Sequence, residues 1–191
     1  MKKLALFLVL LVSATLTYGQ TNWALDKAHS RIGFNVSHLV ISEVNGKFDD
    51  FDAKVTSKTE DFTGATVEFT AKVSSINTNN EQRDTHLKSA DFFDAEKFPE
   101  VKFTGTIQKN GGKYELVGKF TMKDVTKDVR FPVKYNGTVK DPWGNIKSGF
   151  KVTGTVNRKE YGLKWSALTE AGGAVAGDEV EIICNIELQK S

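Results

Sequence analysis

The chain of 191 residues has little cysteine, proline, histidine or net charge: one Cys, three Pro, three His, and 26 Lys+Arg against 24 Asp+Glu. One thiol excludes an internal disulfide, a disulfide scaffold and a cysteine-based zinc cluster. Scarce proline beside 39% hydrophobic residues excludes a disordered or low-complexity chain. A formal charge of +2 is too small for a nucleic-acid footprint, so no nucleic-acid partner is expected. No nucleophile elbow, P-loop, dinucleotide fingerprint or zinc-protease motif is present. What the chain does have is 13 Phe beside 16 Gly: many large rings, and many positions without a side chain.

Residues 1–19 read as a secretory signal peptide. Lys2 and Lys3 form the positive start, Leu4 to Leu16 the apolar run, and Thr17-Tyr18-Gly19 leads to a cut before Gln20. The apolar run falls short of the roughly 20 residues that span a membrane. The expected location is therefore periplasmic or secreted. Residues 20–191 then form a single domain, in which 26 − 2 = 24 basic residues face 24 acidic ones. A neutral chain has no electrostatic motive to bind an anionic polymer.

Along that domain the hydrophobic period is two. Ile32, Phe34, Val36 and His38 share one phase, as do Val67, Phe69, Ala71 and Val73. The same alternation runs through 101–107, 114–122, 129–135, 150–156 and 180–188, and less clearly through 48–55. Each such segment is a strand with one buried face. Asn45-Gly46, Asn110-Gly111-Gly112 and Asp141-Pro142-Trp143-Gly144 read as turns. The Thr78-Asn79-Asn80-Glu81 segment matches a capping box and predicts a short helix through about Ser89. Phe92, Phe93 and Phe98 follow it and read as a cap on a barrel end or, more plainly, as a loop covering a sandwich core.

About eight such strands make an antiparallel meander that closes into a barrel, with the helix inserted after the third long strand. The interior of a barrel this size is either filled or holds one small ligand. Its expected lining is Ile32, Phe34, Val36, Phe69, Val73, Phe103, Phe120, Met122, Phe131 and Val152, with His38 at the mouth. Gly105, Gly118 and Gly154 fall in the same inward phase. They either bend the sheet at corners or leave room for a guest, and room for a guest is the working expectation. Pro132, in the outward phase, points to a bulge or an imperfect seam. Cys184 alternates with Ile182 and Ile186 and reads as a small buried apolar side chain.

The polar candidates are His29, His38 and His86, with Asp26 and Asp84 close in sequence. His29 and His38 are nine residues apart, about 30 Å at strand rise, and cannot share a metal on a straight strand. Arg83 and Leu87 share a helix face, so the plainer reading of Arg83-Asp84-Thr85-His86-Leu87 is a helix docked through Leu87. Asn157-Arg158 reads as a turn with a positioned arginine.

Together these residues resemble a known family. Trp23-Ala24-Leu25-Asp26-Lys27-Ala28-His29-Ser30, followed by Ile32-x-Phe34-x-Val36-x-His38-Leu39, is similar to the opening of YceI-like proteins. The resemblance continues through Gly46-Lys47-Phe48, Ser75-Ile76-Asn77-Thr78, Arg83-Asp84-x-His86-Leu87-Lys88, Asp91-Phe92-Phe93, Phe98-Pro99 and Asn157-Arg158-x-x-x-Gly162. It covers about residues 22–189. It implies an all-β, eight-stranded, lipocalin-like barrel that binds a polyisoprenoid or other long-chain amphiphile, outside the cytoplasm. It implies no catalytic residue, metal or cofactor. Asp124 departs from the glycine usual in the family and puts that turn's conformation in question. Transient contact with a membrane or lipid donor, and a homodimer, stay open as partners. Two other readings also stay open: a metal-dependent enzyme or sensor built on the His and Asp residues, and a filled-core barrel that acts as an interaction or stress protein.

Overall fold

A computed structural model describes residues 19–168 and 172–191. The expected export signal lies outside the described residues, apart from Gly19. The chain runs through β1 (Thr21–Leu25), β2 (Arg31–His38), β3 (Ser42–Phe48), β4 (Phe51–Ser57), β5 (Thr66–Lys72), β6 (Ile76–Asn77) and helix α1 (Glu81–Lys88). It continues through β7 (Glu100–Asn110), β8 (Lys113–Met122), β9 (Val125–Lys140), β10 (Ile146–Asn157) and β11 (Ala176–Lys190).

These segments form one closed, eight-stranded antiparallel barrel. The first three barrel strands are each broken in two. β1 and β2 lie end to end along β11, pairing with Leu188–Lys190 and with residues 176–185. β4 then pairs with β1, and β3 with β2. β5 pairs with β4, and β6 with β3. From β5 onward each strand pairs with the next through β7, β8, β9, β10 and β11. Strand order thus follows chain order around the ring, and the β1–β11 pairing shuts it. Closure removes the free edges that an open sheet exposes.

Two of the expected turns hold. Gly111 and Gly112 take φ of 55° and 84° between β7 and β8, and Gly144 takes 94° between β9 and β10. Asn45-Gly46 does not turn. It lies inside β3, with Gly46 paired to Phe34. The reason is packing: a Cβ on Gly46 would stand 2.1 Å from the Phe34 ring, so the glycine is the seat of that ring. The β2–β3 turn is made instead by Leu39 and Val40, both left-handed (φ 53° and 65°). At the β8–β9 turn Lys123, and not Asp124, takes positive φ (54°), so no glycine is required where Asp124 stands.

Gly105, Gly118 and Gly154 follow the same logic as Gly46, which corrects the expectation that they leave room for a guest. Gly105 and Gly118 are cross-strand partners. A Cβ on Gly105 would meet the Val117 carbonyl oxygen at 2.3 Å and the Phe103 ring at 2.7 Å. A Cβ on Gly154 would meet the Phe131 ring at 2.2 Å. The Phe131 ring at Gly154, and the paired backbone with the tip of Phe103 at Gly105 and Gly118, occupy what space these glycines offer. Pro132 stands outward, exposed, and the β9–β10 ladder stops beside it at Val133–Val152. With no amide proton it cannot extend that ladder. A register shift at Gly149/Phe150 adds a bulge to the same pair of strands.

The barrel has two unlike ends. At one end β1, β5, β8 and β10 begin, and this end is closed. Phe62 is fully buried there, with ring centroids of Trp23 and Phe150 each 4.9 Å away and Tyr135 at 5.7 Å. Phe62 takes φ of 60°, a conformation that costs energy in a residue with a side chain. Its neighbour Asp61 fixes the loop by accepting from Lys109 (3.0 Å) and from the Thr63 amide and hydroxyl. These bonds, Lys109 first, hold the Asp61 carboxyl well below the usual carboxylate range.

At the other end sit the Leu39-Val40 turn, the α1 insertion and the segment after β10. Asn80 caps α1, accepting from the Arg83 amide at 2.9 Å. The expected capping box at Thr78 does not form, and the N-cap stands two residues later. Thr78 bonds instead to the Asp84 carboxylate through its amide (2.8 Å) and hydroxyl (2.6 Å), and Arg83 Nε donates to its Oγ1. Phe92 and Phe93 are buried under this insertion, whereas Phe98 is half-buried with the Lys123 ammonium 5.7 Å over its ring.

The glycine seats yield a test. Gly154→Ala should destabilise the barrel by about 1–3 kcal/mol, and Phe131→Leu in the same chain should recover part of that loss. Gly105→Ala should not be recovered by shortening Phe103, because the 2.3 Å contact is with backbone. Denaturant unfolding of the single and double variants reads both outcomes.

Candidate functional site

The barrel encloses a cavity of about 820 Å³, within the range of sites that take a small molecule. The lumen is therefore not filled by side chains. Ile32, Phe34, Val36 and His38 of β2 line it, with Phe69 of β5 and Phe103 of β7. Phe120 and Met122 of β8, Phe131 of β9 and Val152 of β10 complete the sequence-predicted lining that reaches it. Val73 does not line the cavity. It is buried in the 3₁₀ turn Val73–Ser75 that breaks the third strand, where the strand alternation no longer applies. Gly105, Gly118 and Gly154 do not line it either, since rings and paired backbone cover them.

Sequence reasoning missed part of the wall. Ile107, Leu116, Ile186 and Leu188 line the cavity and carry the same alternating signal as the residues that were found. Trp165 and Leu163 carry no such signal, because their segment has no periodicity. Cys184 also lines the cavity, and burial pushes its thiol up to about 12. Its residual exposure is to the lumen, which reconciles a half-exposed residue with a thiol kept from water.

The polar part of the wall gathers at the end opposite Phe62. It comprises Ser37, His38, Asn80, Gln82, Arg83, His86 and Arg158. The insertion supplies four of them: the N-cap Asn80 with Arg83 and His86, which recur every three residues on the face beside Leu87, and Gln82 next to Arg83. His38 Nδ1 donates to the Val175 carbonyl at 2.9 Å, which fixes the tautomer and leaves Nε2 without a proton in the neutral ring. His86 stands edge-on to Phe92 and Trp165, with centroids 5.0 and 5.3 Å away, and Phe92 lies 5.2 Å from Trp165. The three rings join the insertion to the segment that follows β10.

Arg158 holds that segment in place. It is 3% exposed. It donates to the carbonyls of Leu163 (2.7 Å), Trp165 (2.8 Å), Gly177 (2.7 Å) and Ala176 (3.2 Å), and pairs with Asp178 at 3.3 Å. Burial lowers its pKa and Asp178 opposes that shift. The positioned arginine read from Asn157-Arg158 is thus a clamp with its donors committed.

Among the described residues, Asp26, His29 and Glu187 form the group able to hold a metal. They lie outside the cavity lining. Lys147 already places its ammonium 2.5 Å from Asp26 Oδ2 and 3.4 Å from Glu187. It is the largest cause, ahead of His29, of the strongly lowered Asp26 pKa. Lys147 bridges the two carboxylates, and the cluster fastens β10, β11 and the β1–β2 break. His38 and His86 belong to the mouth, and Asp84 is bonded to Thr78. Of the residues proposed for metal chemistry, the structure brings Asp26 and His29 together, 3.1 Å apart and away from the cavity, and leaves His38, His86 and Asp84 in other surroundings.

Comparison with known proteins agrees with this architecture. The model of the YceI-like domain matches residues 23–188. A UPF0312 protein of Staphylococcus aureus strain USA300 is 39% identical over 172 residues, covering 90% of this chain and 99% of its own. The YceI protein of Campylobacter jejuni is 31% identical, with a TM-score of 0.69 over 87% of this chain and 96% of its own. A polyisoprenoid-binding domain from Saccharophagus degradans, implicated in plant cell wall breakdown, is 13% identical with a TM-score of 0.63, over 88% of this chain and 98% of its own. At that identity the likeness is one of fold.

The Cys184 thiol gives a direct check on the wall. With its pKa near 12, alkylation by iodoacetamide at pH 8 should run at least about a hundredfold slower in the folded protein than in the guanidinium-unfolded chain. Equal rates would mean that water reaches this part of β11.

Proposed function

We propose, from the membership of this chain in the YceI-like family, that it is a non-enzymatic carrier that sequesters a long-chain amphiphile in the barrel lumen. The observation that carries the reading is the cavity of about 820 Å³, walled by hydrocarbon, floored above Phe62 and polar only at one end. Such a site suits a ligand with a long apolar tail and one polar head. A polyisoprenoid or a lipid of similar length fits the description. The polyisoprenoid-binding neighbour from Saccharophagus degradans supports the ligand class.

Burying a tail contributes about 0.8 kcal/mol per methylene before the cost of ordering it. A long prenyl chain would overshoot the practical ceiling near −20 kcal/mol, so ordering of the chain offsets much of the gross gain. The reading assigns no catalytic residue, metal or cofactor. It places the carrier in the periplasm or outside the cell, on the signal-like residues 1–19. There it exchanges cargo with a membrane or lipid donor. Homodimer formation is compatible with it.

The test is native mass spectrometry of protein purified without detergent, followed by solvent extraction. A bound amphiphile at one per barrel is expected. Val152→Trp places an indole in the lumen and should abolish the adduct while the melting temperature stays within about 5 °C of the original. No adduct together with no uptake of added prenyl lipid would refute the carrier reading, as would full loading of the Val152→Trp variant.

A further inference from the structure

Apart from the Cys184 thiol, the ionisable groups on the cavity wall are all basic. Among the described residues the lining contains Arg83, Arg158, His38 and His86, and no aspartate or glutamate. Residues 20–191 carry 24 carboxylate side chains beside their 24 Lys and Arg. A mouth built without regard to charge would be expected to draw on both sets.

The four groups differ in what they have left to offer. Arg158 has spent its donors on four carbonyls and Asp178. His38 has committed Nδ1 to Val175. His86 lies 3.4 Å from the exposed Asp91 carboxylate. Arg83 is different. Its Nε donates to Thr78 Oγ1 at 2.7 Å and its Nη2 to the Thr78 carbonyl at 2.9 Å. Those two bonds fix the plane of the guanidinium, and of its five N–H donors three remain. Among the described residues no carboxylate stands within ion-pair distance of it or of the exposed Arg31, whereas Arg130 and Arg158 both have one. The neighbouring Asp84 is bonded to the amide and hydroxyl of Thr78. Arg83 is therefore a half-buried, oriented cation on the wall of an apolar cavity, with three N–H donors uncommitted; Asp84 reaches it only through the shared Thr78 hydroxyl and forms no direct ion pair with it. Such a group pays a desolvation cost that an anion would repay.

We propose that Arg83 is the head-group site of the carrier and that the cargo it selects has an acidic head, a carboxylate or a phosphate, on its long tail. This rests on the carrier reading and narrows it. The tail supplies affinity through the lumen, and Arg83 supplies discrimination at the mouth, with His86 one helical turn further along the same face of α1. Asn80, which caps the helix, and Gln82 add neutral donors to the rim.

The experiment compares heads on matched tails in the full chain. Geranylgeranyl phosphate is set against geranylgeraniol, and palmitoleate against palmitoleyl alcohol. Competition with a fluorescent fatty-chain probe reads each affinity for the wild-type protein and for Arg83→Gln and Arg83→Lys. At least one acid should bind about ten- to a hundredfold tighter than its alcohol. Arg83→Gln should erase that preference by weakening the acid far more than the alcohol, and Arg83→Lys should keep most of it. The phosphate and carboxylate pairs separate the two acid sources. If Arg83→Gln also loses the alcohol through misfolding, the wild-type preference and its retention in Arg83→Lys decide the matter. Equal binding of acids and alcohols by the wild type, or an undiminished preference in a folded Arg83→Gln, overturns the head-group site and leaves the carrier standing. Failure of all four ligands to bind overturns the carrier and the site with it.

Discussion

Closure of the sheet between β11 and the broken β1–β2 strand is the constraint from which the rest follows. A closed ring satisfies backbone groups between strands, so the interior owes them nothing. The inward phase can then be hydrocarbon along nearly its whole length. In an open sheet of the same composition, a wall of Phe, Val and Ile would collapse against a second layer. Among the described residues no second layer exists, and the apolar faces surround a space instead.

What keeps that space from filling is how the rings are disposed. Phe34, Phe103 and Phe131 lie over glycines of the wall and so hug the sheet. Phe62 closes one end from a strained loop, fixed by Asp61, Lys109 and Thr63. At the opposite end Arg158 ties down the segment after β10, and Trp165, His86 and Phe92 join it to the insertion. The division is one of chemistry as well as shape: the floor is aromatic, and the mouth carries the polar and cationic groups.

Much of the barrel was legible in the sequence because alternation reports the one buried face of an antiparallel strand. That signal located the long strands and most of the lining. It failed wherever the chain leaves the strand. Val73 shares the phase of Phe69 and Ala71 but sits in a 3₁₀ turn, so its side chain points into packing and not into the lumen. Phe62 belongs to a loop whose local sequence has no period, and only the tertiary fold shows it to be the floor. Asn45-Gly46 has the composition of a turn, yet its glycine serves a ring on the neighbouring strand. A lone sequence cannot separate a glycine that turns from a glycine that seats an aromatic. Thr78 likewise matched a cap by spacing, but Asn80 offers the helix the same kind of oxygen two residues later. The mouth was least legible of all, because Arg83 and Trp165 reach one cavity from two separate connections, and from sequence Arg83 reads as a helix residue paired to a nearby loop.

The central claim is that this lumen measures an apolar chain. It is tested most directly by the affinity of a homologous series of amphiphiles with one head and increasing tail length, measured by calorimetry on delipidated protein. Affinity should climb with each added carbon while the tail still enters the cavity, then level off or fall once the cavity of about 820 Å³ is full. An affinity indifferent to length from the shortest tail onward, or one that rises without a break, would contradict a chain held in a closed-ended lumen.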